Sequence, residues 1–458
     1  MINTVEDFNE VFFIGIAGVG MSALAQYLQG IGKNVSGSDR YFLSDEPNKT
    51  RSQLEAEGIK CFVQDGSGIT SNTQLVVVST AIEDTVPEVL KAKSLSIPII
   101  RRSELLSIIA KSKKTVALAG TSGKSTTAAM LYHMLEKANL QPSIISGAGL
   151  TSLIKQNKIG NAAVGSGDWL IIEADESDGS IVQYKPEIGV LLNIDKDHQE
   201  IAELLDLFGV FKNNTNSLFI VNQSNRQAKT MSTNANSDFG FEAENCGYSV
   251  ENFKQDGLEL SFTIKDQPFG MTSLGRHSAE NAAAAVAVAH QIGVDLAVCA
   301  ESLRTYEGIY RRHQVLGRKN GVWVIDDYAH NPAKCAASIR ACQPLADKVV
   351  AWFQPHGYGP TRFLKDDFIQ EISDALRPED EIYMSEIFYA GGTAVKDISA
   401  NDLIEGIKNK GKKAFFVENR DDLLEIIRPK LTVDTLLLLM GARDPGLETF
   451  SKNLFEKL

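Results

Sequence analysis

Residues 115–130 read TVALAGTSGKSTTAAM. The apolar run Val116–Ala119 predicts a buried strand, Gly120 to Ser125 a turn, and Thr126–Ala138 a helix. A strand that passes through a glycine turn into a Lys-Ser pair at a helix start makes a cradle for phosphate. The first helical turn offers unpaired backbone N–H groups and the positive end of the helix dipole. Gly120 and Gly123 let the backbone approach phosphate oxygens where a β-carbon would intrude. Lys124 reaches the terminal phosphates, and the Ser125 hydroxyl sits on a divalent cation. The stretch implies ATP with Mg2+, or Mn2+ in its place, held by Gly120, Thr121, Ser122, Gly123, Lys124, Ser125 and Thr126. The general phosphate loop has four residues between its glycines; here Leu118 stands where the first would be.

A chain of 458 residues is long for one core and predicts three domains. Its net charge of −12 argues against nucleic acid or a membrane as partner, so an anionic substrate must be held by local positive groups. The five cysteines (Cys61, Cys246, Cys299, Cys335, Cys342) are scattered, with no Cys-x-x-Cys pair. An odd number in a long chain predicts free thiols and a reducing, cytoplasmic location. The acidic start MINTVEDFNE does not read as a secretory signal, and no apolar run reaches the roughly 18 residues of a membrane helix. A monomer or weak homo-oligomer is expected.

Upstream of the cradle, Val11–Ile16 reads as a strand and Gly15, Gly18 and Gly20 as a turn. Met21–Gly30 reads as a helix, and Asn34–Ser38 as a second strand ending at Asp39. This is the opening of a Rossmann-like domain, where an acidic residue about 20 positions past the glycines meets a ribose. The order GxxGxG differs from the GxGxxG of dinucleotide enzymes and argues against a nicotinamide dehydrogenase. A nucleotide diphosphate, or a βα turn with no ligand, remains. Leu75–Ser79, followed by Thr80-Ala81-Ile82, and Ile97–Ile100 are further strands; Ser103–Ala110 is a helix and Lys111–Lys114 a polar linker. The first domain is therefore set at 1–111.

Past the cradle, Leu170–Ala174 runs into Asp175-Glu176-Ser177-Asp178-Gly179, and Ile188–Ile194 into Asp195-Lys196-Asp197-His198. Carboxylates and a histidine at strand C-termini lie on the active edge of a parallel sheet. Glu173 is the first choice of Mg2+ ligand, because a hard cation takes oxygen. His198 coordinates the metal, orients a water or caps the next helix. Leu218–Asn222 is another strand, and the polar stretch 223–274 reads as added hairpins. Gly275 to Asn281 opens an Ala-rich helix reaching about Ile292, whose small side chains predict close packing. Arg311 and Arg312, in Tyr310-Arg311-Arg312-His313, clamp phosphate or form a solvated hinge pair. The second domain is set at 112–314.

In 315–458 strands are expected at Val322–Asp326, Lys348–Phe353, Glu381–Ser385, Ala414–Val417 and Thr435–Met440. Helices are expected at Ala333–Cys342, Lys365–Leu376, Ala400–Lys408 and Asp421–Ile427. The fold class is α/β with three domains: a Rossmann-like N-terminal domain, a central P-loop ATPase-type domain with a parallel sheet and added hairpins, and a C-terminal Rossmann-like domain.

In this order the motifs resemble those of the ATP-dependent Mur ligases of peptidoglycan synthesis, over nearly the whole chain. GIAGVGMSALA (Gly15–Ala25), GSD (Gly37–Asp39), STAI (Ser79–Ile82) and IPIIRRSELL (Ile97–Leu106) are similar to the family's UDP-sugar-binding domain. GTSGKSTT (Gly120–Thr127) resembles its ATP loop, with Ser122 where His is usual in the branch that adds L-alanine, the branch the chain resembles most. EADESDGS (Glu173–Ser180) and Asp197-His198 resemble its metal-site motifs. GRH (Gly275–His277) with Asn281 resembles the adenine-side motif. Arg311-Arg312 and DDYAHNP (Asp326–Pro332) resemble the γ-phosphate arginine and the C-terminal Asp motif. The branch has Asn where Ser278 stands, His where Asn331 stands, and arginines where Gly357 and Pro360 stand in FQPHGYGPTR (Phe353–Arg362), leaving Arg362.

The resemblance implies a ligase acting on UDP-N-acetylmuramate and an amino acid. ATP phosphorylates the lactyl carboxylate, an amine attacks the acyl phosphate, and phosphate departs. Gly15, Gly18, Gly20, Met21, Ser22, Asp39, Ser79 and Thr80 are implied on the UDP-sugar. Lys124, Glu173, His198, Arg311, Arg312 and Asp327 are implied in catalysis, and Ser125, Glu173 and His198 at the metal. Asn281 is implied on the nucleotide, and Tyr328, His330, His356 and Arg362 on the acceptor. The base for the amine is His198 or His330, and closure of the domains over the three sites is expected. Two alternatives stand: a ligase joining a murein tripeptide or another amino acid to the same sugar nucleotide, and a binding paralogue without activity. Against the second, Lys124, Glu173 and His198 are all present.

Overall fold

In the computed structural model the described residues are 2–43, 48–80, 82–177, 179–195, 200–389 and 395–458. A strand covered on both faces needs apolar residues at every position, and the run Val11–Ile14 supplies them for β1 (Glu10–Ile14). The turn after β1 leads into α1 (Val19–Gly30). β2 (Asn34–Asp39), α2 (Lys49–Ala56), β3 (Lys60–Val63), β4 (Leu75–Val78), α3 (Pro87–Ser94), β5 (Ile99–Arg101) and α4 (Arg102–Ala110) follow. The sheet is parallel, in order β3-β2-β1-β4-β5. The chain winds from β1 out to β3 and returns on the other side of β1 for β4. The switch point therefore lies between β1 and β4, where an open α/β sheet leaves a crevice at its strand C-termini.

β6 (Lys114–Ala119), α5 (Lys124–Lys137), β7 (Ser143–Ile145), α6 (Thr151–Ile154), β8 (Ala162–Ala163), β9 (Trp169–Glu173), β10 (Ile188–Leu191), α7 (Ile201–Asn213) and β11 (Leu218–Val221) build a second sheet. Its order is β11-β10-β6-β9-β7-β8. The strand expected from Val116 begins at Lys114, because Thr115 is buried and bonds through Oγ1 to the Ala110 carbonyl. The linker thus gives its last residue to β6. The sheet is parallel except for the short edge strand β8, which runs antiparallel to β7. Register sets Glu173 beside Leu118 and Leu191 beside Ala119, so three strand ends meet at the turn after β6.

β12 (Phe239–Phe241), β13 (Tyr248–Asp256), β14 (Glu259–Ile264) and β15 (Gln267–Thr272) form a four-stranded sheet. β12 pairs with β13 in parallel, so the region expected as hairpins is not hairpins throughout. α8 (Arg276–Ile292) and α9 (Leu296–Arg304) follow, and Ala282–Ala289 of α8 are fully buried. The last sheet comprises β16 (Gln314–Lys319), β17 (Val322–Asp327), β18 (Lys348–Gln354), β19 (Glu381–Met384), β20 (Lys413–Phe416) and β21 (Thr435–Gly441), in order β16-β17-β21-β18-β19-β20. Its helices are α10 (Pro332–Cys342), α11 (Tyr358–Phe363), α12 (Lys365–Ala375), α13 (Ala400–Asn409), α14 (Leu423–Ile427) and α15 (Leu447–Lys457). β16 runs antiparallel to β17 and the other pairings are parallel.

The chain divides into two compact units: Met1–Glu251 with Thr263–Phe269 and Glu280–Ile309, and Asn252–Phe262 with Gly270–Ala279 and Tyr310–Leu458. The first two sheets share the first unit and one apolar core. A buried polar seam also joins them. Gln26 of α1 donates to Asn161 Oδ1 (2.7 Å), and Asn161 donates to the Val19 carbonyl (2.7 Å) and to Ser22 Oγ (3.0 Å). Among the described residues, no helix is long and apolar enough to cross a membrane.

Candidate active site

In the first unit the backbone leaves β6 through Gly120 at φ +130° and enters α5 through Gly123 at φ +86°. A β-carbon on Gly123 would lie 2.4 Å from Asn281 Oδ1. The turn is pinned from the side by Asn193, just past β10. Its Oδ1 accepts from Thr121 Oγ1 (2.9 Å) and from the Ser122 amide (2.8 Å), and its Nδ2 donates to the Ser122 carbonyl. Thr126 lies in the first turn of α5, and Asn281 accepts from Thr127 Oγ1.

Lys124 Nζ donates to the Gly120 carbonyl (2.6 Å) and to Glu176 Oε2 (2.6 Å), with Asp175 Oδ1 at 3.9 Å. Burial disfavours the ammonium, but Glu176 and Asp175 outweigh it and hold the lysine above its ordinary range. Ser125 Oγ donates to Glu173 Oε2 (2.8 Å). Glu173 Oε1 accepts from Ser146 Oγ (2.8 Å) and from the Gly147 amide (2.6 Å). One hydroxyl and one carboxylate thus share a mouth beside the lysine, an all-oxygen donor pair suited to Mg2+. No group of three His, Cys, Asp or Glu able to hold a metal occurs among the described residues. His198, Asp197 and Asp178 lie outside the described residues, as does Ala81 of the STAI stretch.

At the first sheet, Gly15 takes φ +79°, and its amide and that of Ile16 donate to the Ser38 carbonyl. Gly18 opens α1, and a β-carbon on Gly20 would meet the Arg102 side chain at 3.0 Å. Asp39 is buried; its carboxylate accepts from the Ala17 amide (2.9 Å) and the Tyr41 amide (3.1 Å), so it braces the glycine turn. The Met21 and Ser22 side chains are buried, Ser22 in the polar seam. Ser79 and Thr80 follow β4, across the switch point from the turn.

In the second unit the paired arginines differ. Arg311, at φ +54°, is buried and forks onto Asp326 through Nε (2.9 Å) and Nη2 (3.1 Å), with Nη2 also donating to the Gly441 carbonyl. Arg312 is part-exposed, its guanidinium 5.0 Å from the centre of the Tyr328 ring. Asp327 is buried and accepts from the His313 amide (3.1 Å) and from Ser338 Oγ (2.8 Å). Burial raises its carboxyl, but His313, Arg312 and these hydrogen bonds carry it below the usual range.

His330 Nδ1 lies 2.8 Å from the Tyr328 carbonyl. A carbonyl only accepts, so Nδ1 carries the proton and Nε2 keeps its lone pair. Burial, Lys334 and Arg312 push this imidazole well below its ordinary range, so it is neutral. His356 stands with its ring 5.7 Å from that of His330. Arg362 is paired with Asp397 and the Val395 carbonyl. Asn331 caps α10 through Oδ1 to the Lys334 amide. Gly357 takes φ +73° and ψ 123°, a conformation that disfavours an arginine there.

Three family models match the chain in order: the Mur ligase family catalytic domain at residues 10–114, the Mur ligase middle domain at 118–289, and the Mur ligase glutamate ligase domain at 311–443. The chain belongs to the Mur ligase family. The UDP-N-acetylmuramate–L-alanine ligase of Carboxydothermus hydrogenoformans is 34% identical over 448 residues, covering 94% of this Mur ligase and 93% of the relative. That of Rickettsia bellii is 32% identical, with 99% and 97% covered. Among solved structures, the UDP-N-acetylmuramate–alanine ligase of Thermotoga maritima superposes with a TM-score of 0.79 at 26% identity, 98% of each chain covered. A murein peptide ligase of Psychrobacter arcticus shares the fold, with a TM-score of 0.68 at 20% identity and 98% of each chain covered.

Several residues of this Mur ligase's cradle escaped the sequence reading: Asn193, Ser146, Gly147 and the role of Glu176. They lie past three strand ends: Ser146 and Gly147 past β7, Glu176 past β9 and Asn193 past β10. A polar residue directly after a buried strand was the available signal, and Asn193 after Val190-Leu191-Leu192 carries it. In the second unit, His313, just before β16, and Ser338, within α10, escaped as well.

Proposed function

We propose that the chain joins L-alanine to the lactyl carboxylate of UDP-N-acetylmuramate, with ATP cleaved to ADP and phosphate. The observation that carries the ATP half is the Ser125–Glu173 pair beside Lys124 at the mouth of a glycine turn. The acceptor and the sugar nucleotide rest on the relatives' names. A carboxylate is a poor acylating agent because oxide would have to leave; phosphorylation supplies a better leaving group. Two anions must meet, so charge neutralisation is the main task. Lys124 and Arg312 supply positive charge from the protein. Ser125 and Glu173, with His198, would hold Mg2+, which neutralises phosphate charge when bound.

Arg311 acts through Asp326, holding the strand end, rather than at the phosphate. His330, whose Nε2 carries a lone pair, and His198 are the two bases considered for the amine. Gly15, Gly18, Gly20 and Asp39 shape the turn for the UDP moiety, with Ser79 and Thr80 opposite. Tyr328, His330, His356 and Arg362 form the acceptor side, and Asn281 and Thr121 to Thr126 the nucleotide side. Three domains with boundaries 1–111, 112–314 and 315–458, a cytoplasmic location and a monomer or weak homo-oligomer complete the reading.

The test is phosphate release from ATP with UDP-N-acetylmuramate and Mg2+, supplying L-alanine, glycine, L-serine or an L-Ala-D-Glu-diamino-acid tripeptide one at a time. Release with L-alanine supports the proposal. Release only with the tripeptide moves the protein to the recycling branch, a reading that Gly357 and Pro360, where arginines are expected, permit. No release with any acceptor overturns it.

A further inference from the structure

The helix that carries the cradle at its N-terminus walls a second cavity at its other end. This cavity of about 380 Å³ is lined by residues of α5 (Ala129, Tyr132, His133, Lys137), of the α6 region (Leu150, Ser152, Lys155) and of the segment after α9 (Thr305 to Gly308). Its size is at the lower end of small-molecule sites, about 300–1,000 Å³. None of Lys124, Ser125, Glu173, Asn193 or Asn281 lines it, so it is separate from the cradle. Its walls are aromatic: Tyr132, His133 and Tyr306, the last two with ring centres 6.3 Å apart. Burial, then the charge of Lys137, pushes the His133 imidazole down, which leaves that ring neutral at pH 7. On the rim Lys155 is paired with Glu307 at 2.9 Å. Lys137 has no carboxylate partner among the described residues. Two lysines against one glutamate leave one net positive charge beside flat apolar walls, on a chain whose net charge is −12.

The geometry points to an accessory binding site for a small aromatic anion, a planar ring bearing a carboxylate or phosphate, with the ring between Tyr132, His133 and Tyr306 and the anionic group at Lys137. Aromatic faces recognise the ring and the free ammonium the anion. Ser152 and Thr305 add hydroxyls at the rim. The site needs no ATP and stands independently of the proposed reaction.

The test is calorimetric titration of the full chain with phenyl phosphate, in the presence of saturating inorganic tripolyphosphate, which has no ring, to occupy the cradle. Inorganic phosphate under the same conditions is the control. One saturable site is expected, at least about tenfold tighter for phenyl phosphate than for phosphate. Lys137→Glu reverses the free charge on an exposed side chain and is expected to weaken binding at least about tenfold. Ser152→Trp fills the cavity and is expected to abolish binding. Lys124→Ala is expected to leave it unchanged. No binding up to about 10 mM, or binding that survives both Lys137→Glu and Ser152→Trp, overturns the site.

Discussion

Gly123 and Asn281 meet so closely that a β-carbon on the glycine would sit 2.4 Å from the amide oxygen. They are 158 positions apart, yet the gap between them decides the shape of the phosphate turn. Gly123 also takes φ +86°, where an L side chain costs about 1–2 kcal/mol before any clash. Gly123→Ala is therefore expected to weaken ATP binding at least about tenfold, because either the turn or Asn281 must move. An ATP titration checks this, and unchanged affinity would refute it.

Under the proposed function Lys124 faces the nucleotide, and Lys124→Ala is expected to lower turnover at least about 10²-fold. It also strands Glu176, which the lysine contacts at 2.6 Å inside the fold. Breaking a buried pair typically costs about 3–5 kcal/mol. Lys124→Ala with Glu176→Gln should thus recover thermal stability lost by the single variant while remaining inactive. A double variant no more stable than the single one would show that the pair is not what was broken.

The two adjacent arginines should separate cleanly. Arg311→Ala leaves buried Asp326 without its fork and is expected to destabilise by about 3–5 kcal/mol, read by denaturant unfolding. Arg312→Ala, at a part-exposed position, should keep the wild-type melting temperature and lose at least about 10²-fold in kcat. The opposite pattern would exchange the two roles.

Acid should loosen the second unit through His277. Burial, then His313, pushes this imidazole down to about 3 in the folded state, from an ordinary value of 6.5. Between those values the unfolded chain binds the extra proton, so stability falls as pH drops below about 6.5. For this group alone the loss reaches about 2 kcal/mol by pH 5 and levels off below about 3. Urea melts at pH 7 and pH 5 measure it, and His277→Asn should flatten the difference. An unaltered difference would remove His277 from the account.

Strand positions were legible because buried parallel strands are apolar at every residue, as in Leu75–Val77 and Leu436–Met440. Helix starts were less so. α5 begins at Lys124 rather than Thr126, since Lys and Ser at a helix start carry no apolar period. β16 was not read at all: Gln314–Lys319 holds two basic residues, a glycine and no alternation, and is a strand because β17 offers it an edge. The helices α2, α3, α6, α7, α9, α11 and α15 and the strands β3, β7 and β8 went unread as well. The cradle's glycines, lysine, serine and Glu173 could be read from the chain. The partners of Asn193, Ser146 and Glu176 could not, because they depend on which strands become neighbours.

The seam of Gln26, Ser22 and Asn161 limits how this protein could be spliced with a relative. A graft exchanging only residues 1–111 would part Gln26 and Ser22 from Asn161, in a place where all three are buried. Each stranded group costs about 1–3 kcal/mol. The transplantable piece therefore extends past Asn161, and a chimera cut at the apparent linker should fold poorly unless its donor brings matching amides.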